Sequence, residues 1–189
     1  MKGAIVDNPY LAWSRERFGR LQNGFLKSSR YRKDMARLRA CLASPVGSDW
    51  DAAKWSLAGM PAFRDRRRME AAAWLGFALY ATHQQGVHDM PMHVEGVCLS
   101  SAISRLVSNG EDVERLVARM RRAESLDELR PLAVALVRRL RDARIGFDYG
   151  FLVEDLFWFG DAAGRDRVSY WWKHGLTYDH THDMLKSST

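Results

Sequence analysis

The chain has 189 residues, of which 47% are hydrophobic and 11% aromatic, and this apolar content is enough for a packed interior, which excludes an intrinsically disordered protein. The formal net charge is +6 and comes mainly from arginine, whose guanidinium group binds phosphate oxygens in a bidentate manner. Nucleic acid is therefore the predicted partner. An acidic membrane surface is not, because neither a long basic amphipathic helix nor a lipidation signal is present in the sequence.

The apolar segments and the cysteines predict the cellular compartment. The longest apolar run, residues 71–81, is much shorter than the roughly 20 residues that span a bilayer. The N-terminal residues have no apolar segment of signal-peptide length. Cys41 and Cys98 lie far apart among apolar helical positions, which is typical of buried free thiols in a reducing environment. We therefore predict a soluble, unprocessed protein of the cytoplasm.

Apolar residues recur at helical spacing from one end of the chain to the other, and no segment alternates β-branched with polar residues. The sequence therefore predicts an all-α fold of about eight or nine helices. The first helix is predicted to begin at Asn8-Pro9 and to end at Asn23-Gly24.

The second predicted helix carries an apolar stripe with arginines on both sides. Arg37 and Arg39 belong to these basic flanks, together with Arg30 and Arg32. The stripe itself consists of Tyr31, Met35, Leu38 and Leu42.

The rest of the first half is predicted to form a loop and a long apolar helix. Residues 44–61 are rich in proline, glycine and small residues, so a loop is expected there, with one short helix at about 50–57. Asp65 then begins a helix that runs to about Gln84 and has a broad apolar face. The pattern breaks at residues 86–92, and we predict two packed helical bundles, residues 1–93 and 94–189.

Five further helices are predicted in the second half, joined by short turns. Ser125 and Glu128 match a capping box, whereas Pro131 follows only six residues after Ser125 and would break an internal hydrogen bond. This helix is therefore expected either to begin late or to kink. The predicted ranges are residues 96–108, 111–123, 125–141, 148–159 and 164 to about 176.

The segment 111–123 is the most informative, because one helix face is apolar and the opposite face carries three arginines at i, i+4 and i+7. Such arginines repel one another by a few tenths of a kcal/mol per pair, which favours a row of phosphate contacts. An arginine-rich surface that serves only solubility is the alternative interpretation. The apolar face consists of Val113, Leu116, Val117 and Met120, and the basic face consists of Arg115, Arg119 and Arg122.

Tryptophans accompany basic residues near the C-terminus. Trp158, Trp171 and Trp172 lie close in sequence to Arg165, Arg167 and Lys173, and indole rings can stack on nucleic-acid bases. The helical spacing of Trp171 and Trp172 with Val168 nevertheless favours a position in the core for these two rings.

The histidines offer the best case for catalysis, and it is weak. His180 and His182 lie in a segment, residues 178–183, that resembles a metal site only in composition. The sequence has no HExxH pair, no cysteine knuckle, no glycine-rich phosphate loop and no nucleophile elbow. We predict no catalysis, no metal and no cofactor. A small helical metal-dependent phosphodiesterase that uses the C-terminal histidines, or an adaptor that binds only proteins, remains the alternative.

Six segments form a characteristic series along the chain: 36–40 (ARLRA), 77–85 (FALYATHQQ), 115–123 (RLVARMRRA), 126–141 (LDELRPLAVALVRRLR), 145–158 (IGFDYGFLVEDLFW) and 165–173 (RDRVSYWWK). Taken in this order, they resemble CasB, the small subunit of the type I-E CRISPR surveillance complex, Cascade, and the resemblance covers about residues 31–178. The departures are Leu99-Ser100, where the family usually has Leu-Gly, and the altered aromatic-basic motif at 171–176.

This resemblance implies a non-catalytic, two-bundle helical protein that binds guide RNA and the target and displaced DNA strands without sequence preference. It also implies contacts with other Cascade subunits and with a second copy of the chain. The positions that match basic sites of the family are Arg39, Arg115, Arg122, Arg130, Arg165 and Arg167. The predicted surface geometry alone adds Arg37, Arg119, Arg138, Arg139 and Lys173.

Overall fold

The computed structural model describes residues 9–62 and 65–174, except for the side chain of residue 174. In these two segments helices form the fold and no strand occurs, so the all-α prediction is confirmed. A 3₁₀ turn, Cys41–Ala43, follows the second helix. The helices are α1 (Pro9–Lys27), α2 (Tyr31–Ala40), α3 (Trp50–Ser56), α4 (Arg66–His83), α5 (Leu99–Ser108), α6 (Glu114–Arg122), α7 (Leu126–Asp142), α8 (Tyr149–Phe159) and α9 (Ala162–His174).

Side-chain N-caps fix the beginnings of four helices. The Asp65 carboxylate accepts a hydrogen bond from the Arg68 N–H (3.2 Å), and α4 begins directly after it, as predicted. Asp49 and Asp148 cap α3 and α8 in the same way. These caps satisfy backbone donors that a helix leaves without an internal acceptor.

The predicted capping box at α7 forms in a shifted version. The Ser125 hydroxyl accepts from the Glu128 N–H (3.2 Å), while the Glu128 carboxylate accepts from the backbone N–H of Glu124 (2.9 Å), one residue before the cap. The helix begins at Leu126 and continues through Pro131. The possibility of a late start was therefore wrong, since the cap and the packing of the apolar face outweigh one lost hydrogen bond.

Two glycines at predicted helix boundaries have roles other than those predicted, Gly24 as a helix end and Gly96 as a helix start. Gly24 lies inside α1, which continues to Lys27. A Cβ atom on Gly24 would lie 2.4 Å from the Tyr31 ring, so glycine is needed there for close packing of α1 on the start of α2. Conversely, Gly96 has a φ of +81° and belongs to the turn before α5, which begins three residues later than predicted.

The helix α4 lies at the centre of the molecule. Every residue from position 72 to position 84 is buried, as expected for a helix with packed neighbours all round. Its most extensive contacts are with α8, followed by α7 and α2, while α1 also packs on α8. Helices from both sides of residue 93 thus share one core cluster. The division into two bundles at this residue stays a prediction.

The contact between α4 and α8 gives a first testable expectation. A Cβ atom on Gly76 would lie 2.5 Å from the Val153 Cγ2 atom, and overpacking of this kind destabilises a core by about 1 to 3 kcal/mol. We expect Gly76→Ala to lower the free energy of unfolding in urea, although alanine favours a helix by about 1 kcal/mol. Gly19→Ala in α1, with no atom within 4 Å of the new methyl group, is the control and should stabilise the protein. Equal stabilisation by both variants would contradict the close contact.

Candidate nucleic-acid interface

The candidate interface is built on α6, whose two faces separate as the sequence predicts. Val113, Val117 and Met120 are buried in the core, and Leu116 is half-buried. The helix packs on α7 and on α9. Its opposite face therefore points away from the protein.

Hydrogen bonds from side chains to backbone carbonyl oxygens hold α6 against α7 and α9. Arg139 on α7 donates to the Asp112 carbonyl oxygen (2.6 Å), immediately before the helix. The Arg121 Nε–H donates to the Ser169 carbonyl oxygen on α9 (3.0 Å), and the Ser169 hydroxyl donates back to the Arg121 carbonyl oxygen (3.2 Å). A hydrogen bond from Arg165 to the carbonyl of residue 124 closes the C-terminal end. These bonds fix the orientation of the exposed face.

The exposed face carries Arg115, Arg119 and Arg122, which we call the arginine stripe. All three residues are exposed, and none of their side chains makes a hydrogen bond or an ion pair with any residue in the described part of the chain. The stripe spans seven helical steps, or about 10 Å at 1.5 Å per residue. The structure thus brings the three predicted arginines into one row of free guanidinium groups.

Six other predicted site residues lie on α7 and α9, the two helices that pack on α6, and five of them, all except Arg130, are described here. Arg138 and Lys173 are exposed. Arg139 and Arg165 are held against the two ends of α6 by the bonds described above, so part of each guanidinium group is already used. The Arg167 guanidinium lies 5.9 Å from the Trp158 ring and 5.5 Å from the Trp171 ring. It is a cation supported by two aromatic surfaces.

Three predicted site residues form a separate group near the turn that follows α2. Arg37 makes ion pairs with Asp51 (2.6 Å) and Asp49 (3.5 Å). Arg39 donates to the carbonyl oxygen of residue 81 (3.4 Å), and burial lowers the pKa of its guanidinium group. Arg130 donates to the carbonyl of residue 42 and pairs with Asp127. All three arginines therefore have structural partners.

The tryptophans divide between the core and the surface. Trp172 is buried, stacks on Phe159, and donates from Nε1 to the Asp155 carboxylate (2.9 Å). Its predicted core position is confirmed. Trp171 and Trp158 are half-buried beside Arg167, so the core interpretation holds only in part for Trp171.

Two histidines of the described chain, His83 and His93, are buried and contact other core residues. His83 is buried and stacks on Phe147, and burial lowers its pKa to about 3. His93 accepts from the Tyr149 N–H (3.2 Å), and burial lowers its pKa as well. Within residues 9–62 and 65–174, no three His, Cys, Asp or Glu side chains come together in a way that could hold a metal. The predicted C-terminal cluster with His180 and His182 lies outside the described residues.

Two observations bear on the predicted compartment. Cys41 and Cys98 are both buried and free, as predicted, and burial raises the pKa of the Cys41 thiol to about 11. Among the helices of the described segments, none is long and apolar enough to cross a membrane.

One group of basic residues was not predicted from the sequence. Arg17, Arg20 and Lys33 meet in a groove between α1, α2 and α3. The spacing of Arg17 and Arg20 at i and i+3 was visible, but it does not reveal which helix packs beside them.

The comparisons with known proteins agree with this architecture. The profile of the family described as CRISPR-associated protein Cse2 matches residues 34–174. The crystal structure of CasB from Thermobifida fusca is similar with a TM-score of 0.75 and 27% sequence identity, over 89% of this chain and 98% of that chain. No curated protein matches the sequence significantly. A family match over most of the chain, supported by a matching helical structure, shows that the chain belongs to the Cse2 (CasB) family, the small subunits of the type I-E CRISPR surveillance complex Cascade.

Proposed function

We propose that this Cascade subunit binds guide RNA and the target and displaced DNA strands through their backbones, without sequence preference and without catalysis, in antiviral defence. The arginine stripe is the observation that carries the proposal. Its three guanidinium groups are exposed, aligned and without a partner in the described chain. Contacts to phosphates position a strand but carry no sequence information. In an RNA-guided complex, base pairing between guide and target supplies that information.

A physical argument favours phosphate as the ligand of the stripe. Three like charges at i, i+4 and i+7 repel one another, and no acidic side chain of the described residues pairs with them. A polyanion removes this repulsion and releases its condensed counterions when it binds. Each guanidinium group can also donate two parallel hydrogen bonds to one phosphate.

The flanking residues extend the proposed contact. Arg139 and Arg165 lie at the two ends of α6, and Arg138 and Lys173 are further exposed cations. Arg167 with its two indole rings offers a surface on which any base can stack, because every base has an aromatic face. These groups fit a single strand that follows α6 and α9.

Other parts of the surface are assigned to structural or protein contacts. Arg37, Arg39 and Arg130 are bonded within the chain, so we propose that they add mainly to the positive field around a strand.

The Trp50 side chain is 77% exposed, and an exposed aromatic residue of this kind is typical of a protein interface. We propose that it contacts another Cascade subunit or a second copy of the chain in the cytoplasm.

The test removes the charges of the stripe. The variant Arg115→Gln, Arg119→Gln, Arg122→Gln should keep its helical circular dichroism, since these side chains contact no described residue by hydrogen bond or ion pair. Its affinity for single-stranded oligonucleotides should fall about equally for every sequence. The slope of log affinity against log salt should shrink by about 2, from three lost contacts at about 0.7 each.

A matched control removes three arginines that are already paired with carboxylates. Arg66, Arg141 and Arg144 pair with Glu70, Asp142 and Asp89, and their replacement by glutamine should leave the slope nearly unchanged. Replacing the stripe by three lysines should also keep the slope, because the charge remains. An unchanged slope in the glutamine stripe variant, or a loss that depends on oligonucleotide sequence, would contradict the proposal.

A further inference from the structure

The helices α1, α2 and α3 enclose a second basic surface, a groove of about 490 Å³. Its walls carry five cations and one indole ring, together with two carboxylates. The formal surplus is thus three positive charges. We call it the α1–α3 groove; its cations are Arg17, Arg20, Arg30, Lys33 and Lys54, and the indole belongs to Trp55.

The two carboxylates of the groove are used by neighbouring side chains. Asp34 accepts from the Trp55 Nε1–H (3.2 Å). Asp51 accepts from Lys54 Nζ (2.8 Å) and pairs with Arg37 Nη1 (2.6 Å). These contacts lower the pKa of Asp51. Both acids are therefore engaged with the walls of the groove.

Arg17 is held in a fixed position in the groove. Its Nη1 group donates to the carbonyl oxygens of Lys54 (2.6 Å) and Trp55 (3.1 Å) at the end of α3. The guanidinium group also lies 5.4 Å from the Trp13 ring. A donor ordered in advance loses little conformational entropy when an anion binds. Burial, followed by the charge of Arg20, lowers the pKa of Arg17, and the charge of Glu16 partly offsets this shift.

The remaining cations at the opening are exposed. The side chains of Arg30 and Lys33 make no hydrogen bond or ion pair with the residues that the structure describes. Arg20 lies 3.6 Å from Glu16, but both side chains are more than 65% exposed, and such a surface pair contributes little. The groove thus combines one fixed arginine with three cations that are free to close around an anion.

We propose that the α1–α3 groove is a phosphate-binding site for one nucleotide unit of a single strand, separate from the arginine stripe. This inference rests on the proposed function and adds a second contact to it. A volume of about 490 Å³ is within the usual range of small-molecule sites, about 300 to 1,000 Å³, and is too small for a duplex. Cations converge from three helices, which suits the several oxygens of a phosphate group better than the planar pair of a carboxylate.

The experiment uses the full chain and labelled octathymidylate. The variant Arg30→Ala, Lys33→Ala removes two groove cations that have no described partner, and it is made in the wild-type and in the glutamine stripe backgrounds. The control variant Arg32→Ala, Arg105→Ala removes two exposed cations outside the groove. In both backgrounds we expect the groove variant to lower affinity about tenfold relative to the control and to reduce the salt slope by about 1.4.

Other outcomes separate this inference from the proposed function. If the full chain binds no oligonucleotide, while inorganic phosphate shifts the Arg17 Nε–Hε signal in nitrogen-15 NMR and the groove variant abolishes the shift, the proposed function fails and the phosphate site stands. Equal affinities of the groove and control variants would overturn the inference. It would also be overturned if a glutamate-rich peptide bound in the groove while octathymidylate and phosphate did not, since the surface would then be a protein-binding site.

Discussion

The Asp148→Ala variant is expected to lose about 3 to 5 kcal/mol of unfolding free energy, because it leaves a buried ionic network without its acceptor. The Asp148 side chain is fully buried. It lies 2.6 Å from Arg15 Nη2 and accepts from Arg15 Nε–H (2.8 Å), from the Gly96 N–H (2.8 Å) and from the Gly150 N–H (2.8 Å). One carboxylate thus joins α1, the loop before α5 and the first turn of α8.

Urea denaturation at pH 7 measures this effect. Asp142→Ala is the control, since Asp142 is 68% exposed and pairs only at the surface with Arg141, so a change within about 0.5 kcal/mol is expected. Arg15→Ala should cause a loss similar to that of Asp148→Ala. The double variant should lose less than the sum, because the two residues act as one unit. A loss below about 1 kcal/mol in Asp148→Ala would show that water replaces the carboxylate.

Asp155→Asn is expected to stabilise the protein above neutral pH by about 2 to 4 kcal/mol. Burial raises the pKa of Asp155 from 3.8 to about 7. Between these two values the folded chain binds more protons than the unfolded chain, so stability falls as the pH rises through this window. At pH 8 the folded protein holds a buried charge, which asparagine lacks. The amide oxygen still accepts from Trp172 Nε1, as the carboxylate does at 2.9 Å.

The comparison of pH 8 with pH 4 isolates this effect. At pH 4 the folded protein already carries a protonated Asp155, so the advantage of asparagine should nearly vanish. His83 acts in the opposite direction, because its lowered pKa of about 3 removes stability as the pH falls below 6.5, and it does so equally in both proteins. Asp166→Asn, at an exposed position of α9, is the control. A stabilisation that does not change with pH would contradict the buried charge.

The elements that the sequence predicted correctly depend on local chemistry. Asp65, Ser125 and Asp148 begin helices because a side-chain acceptor and the backbone donors it caps lie within three residues of each other. The two faces of α6 follow from the 3.6-residue period alone. Gly24 shows the limit of this reasoning, since its partner Tyr31 approaches only through the packing of α1 on α2.

For a similar reason, the sequence could not show which arginines are bonded within the fold and which are free to bind a ligand. Arg39, Arg130 and Arg165 donate to backbone carbonyls that are 42, 88 and 41 residues away in the chain, and a carbonyl oxygen has no sequence signature. The sequence alone therefore does not distinguish an arginine that is bonded within the fold from one that is free to bind a phosphate. The net charge therefore overstates the surface that is available to nucleic acid. The α1–α3 groove was missed because three separate helices supply its cations.

The fastening of α6 has a consequence for the evolution of this surface. The acceptors at Asp112, Glu124 and Ser169 are carbonyl oxygens, which every amino acid supplies. Substitutions at Asp112 and Glu124 therefore leave the bonds from Arg139 and Arg165 in place. Ser169 is constrained further, because its hydroxyl also donates to the Arg121 carbonyl oxygen. Homologous chains can thus differ at the first two positions and keep the orientation of α6, whereas exchange of a donor arginine for a shorter or neutral residue would remove one of the bonds that hold it.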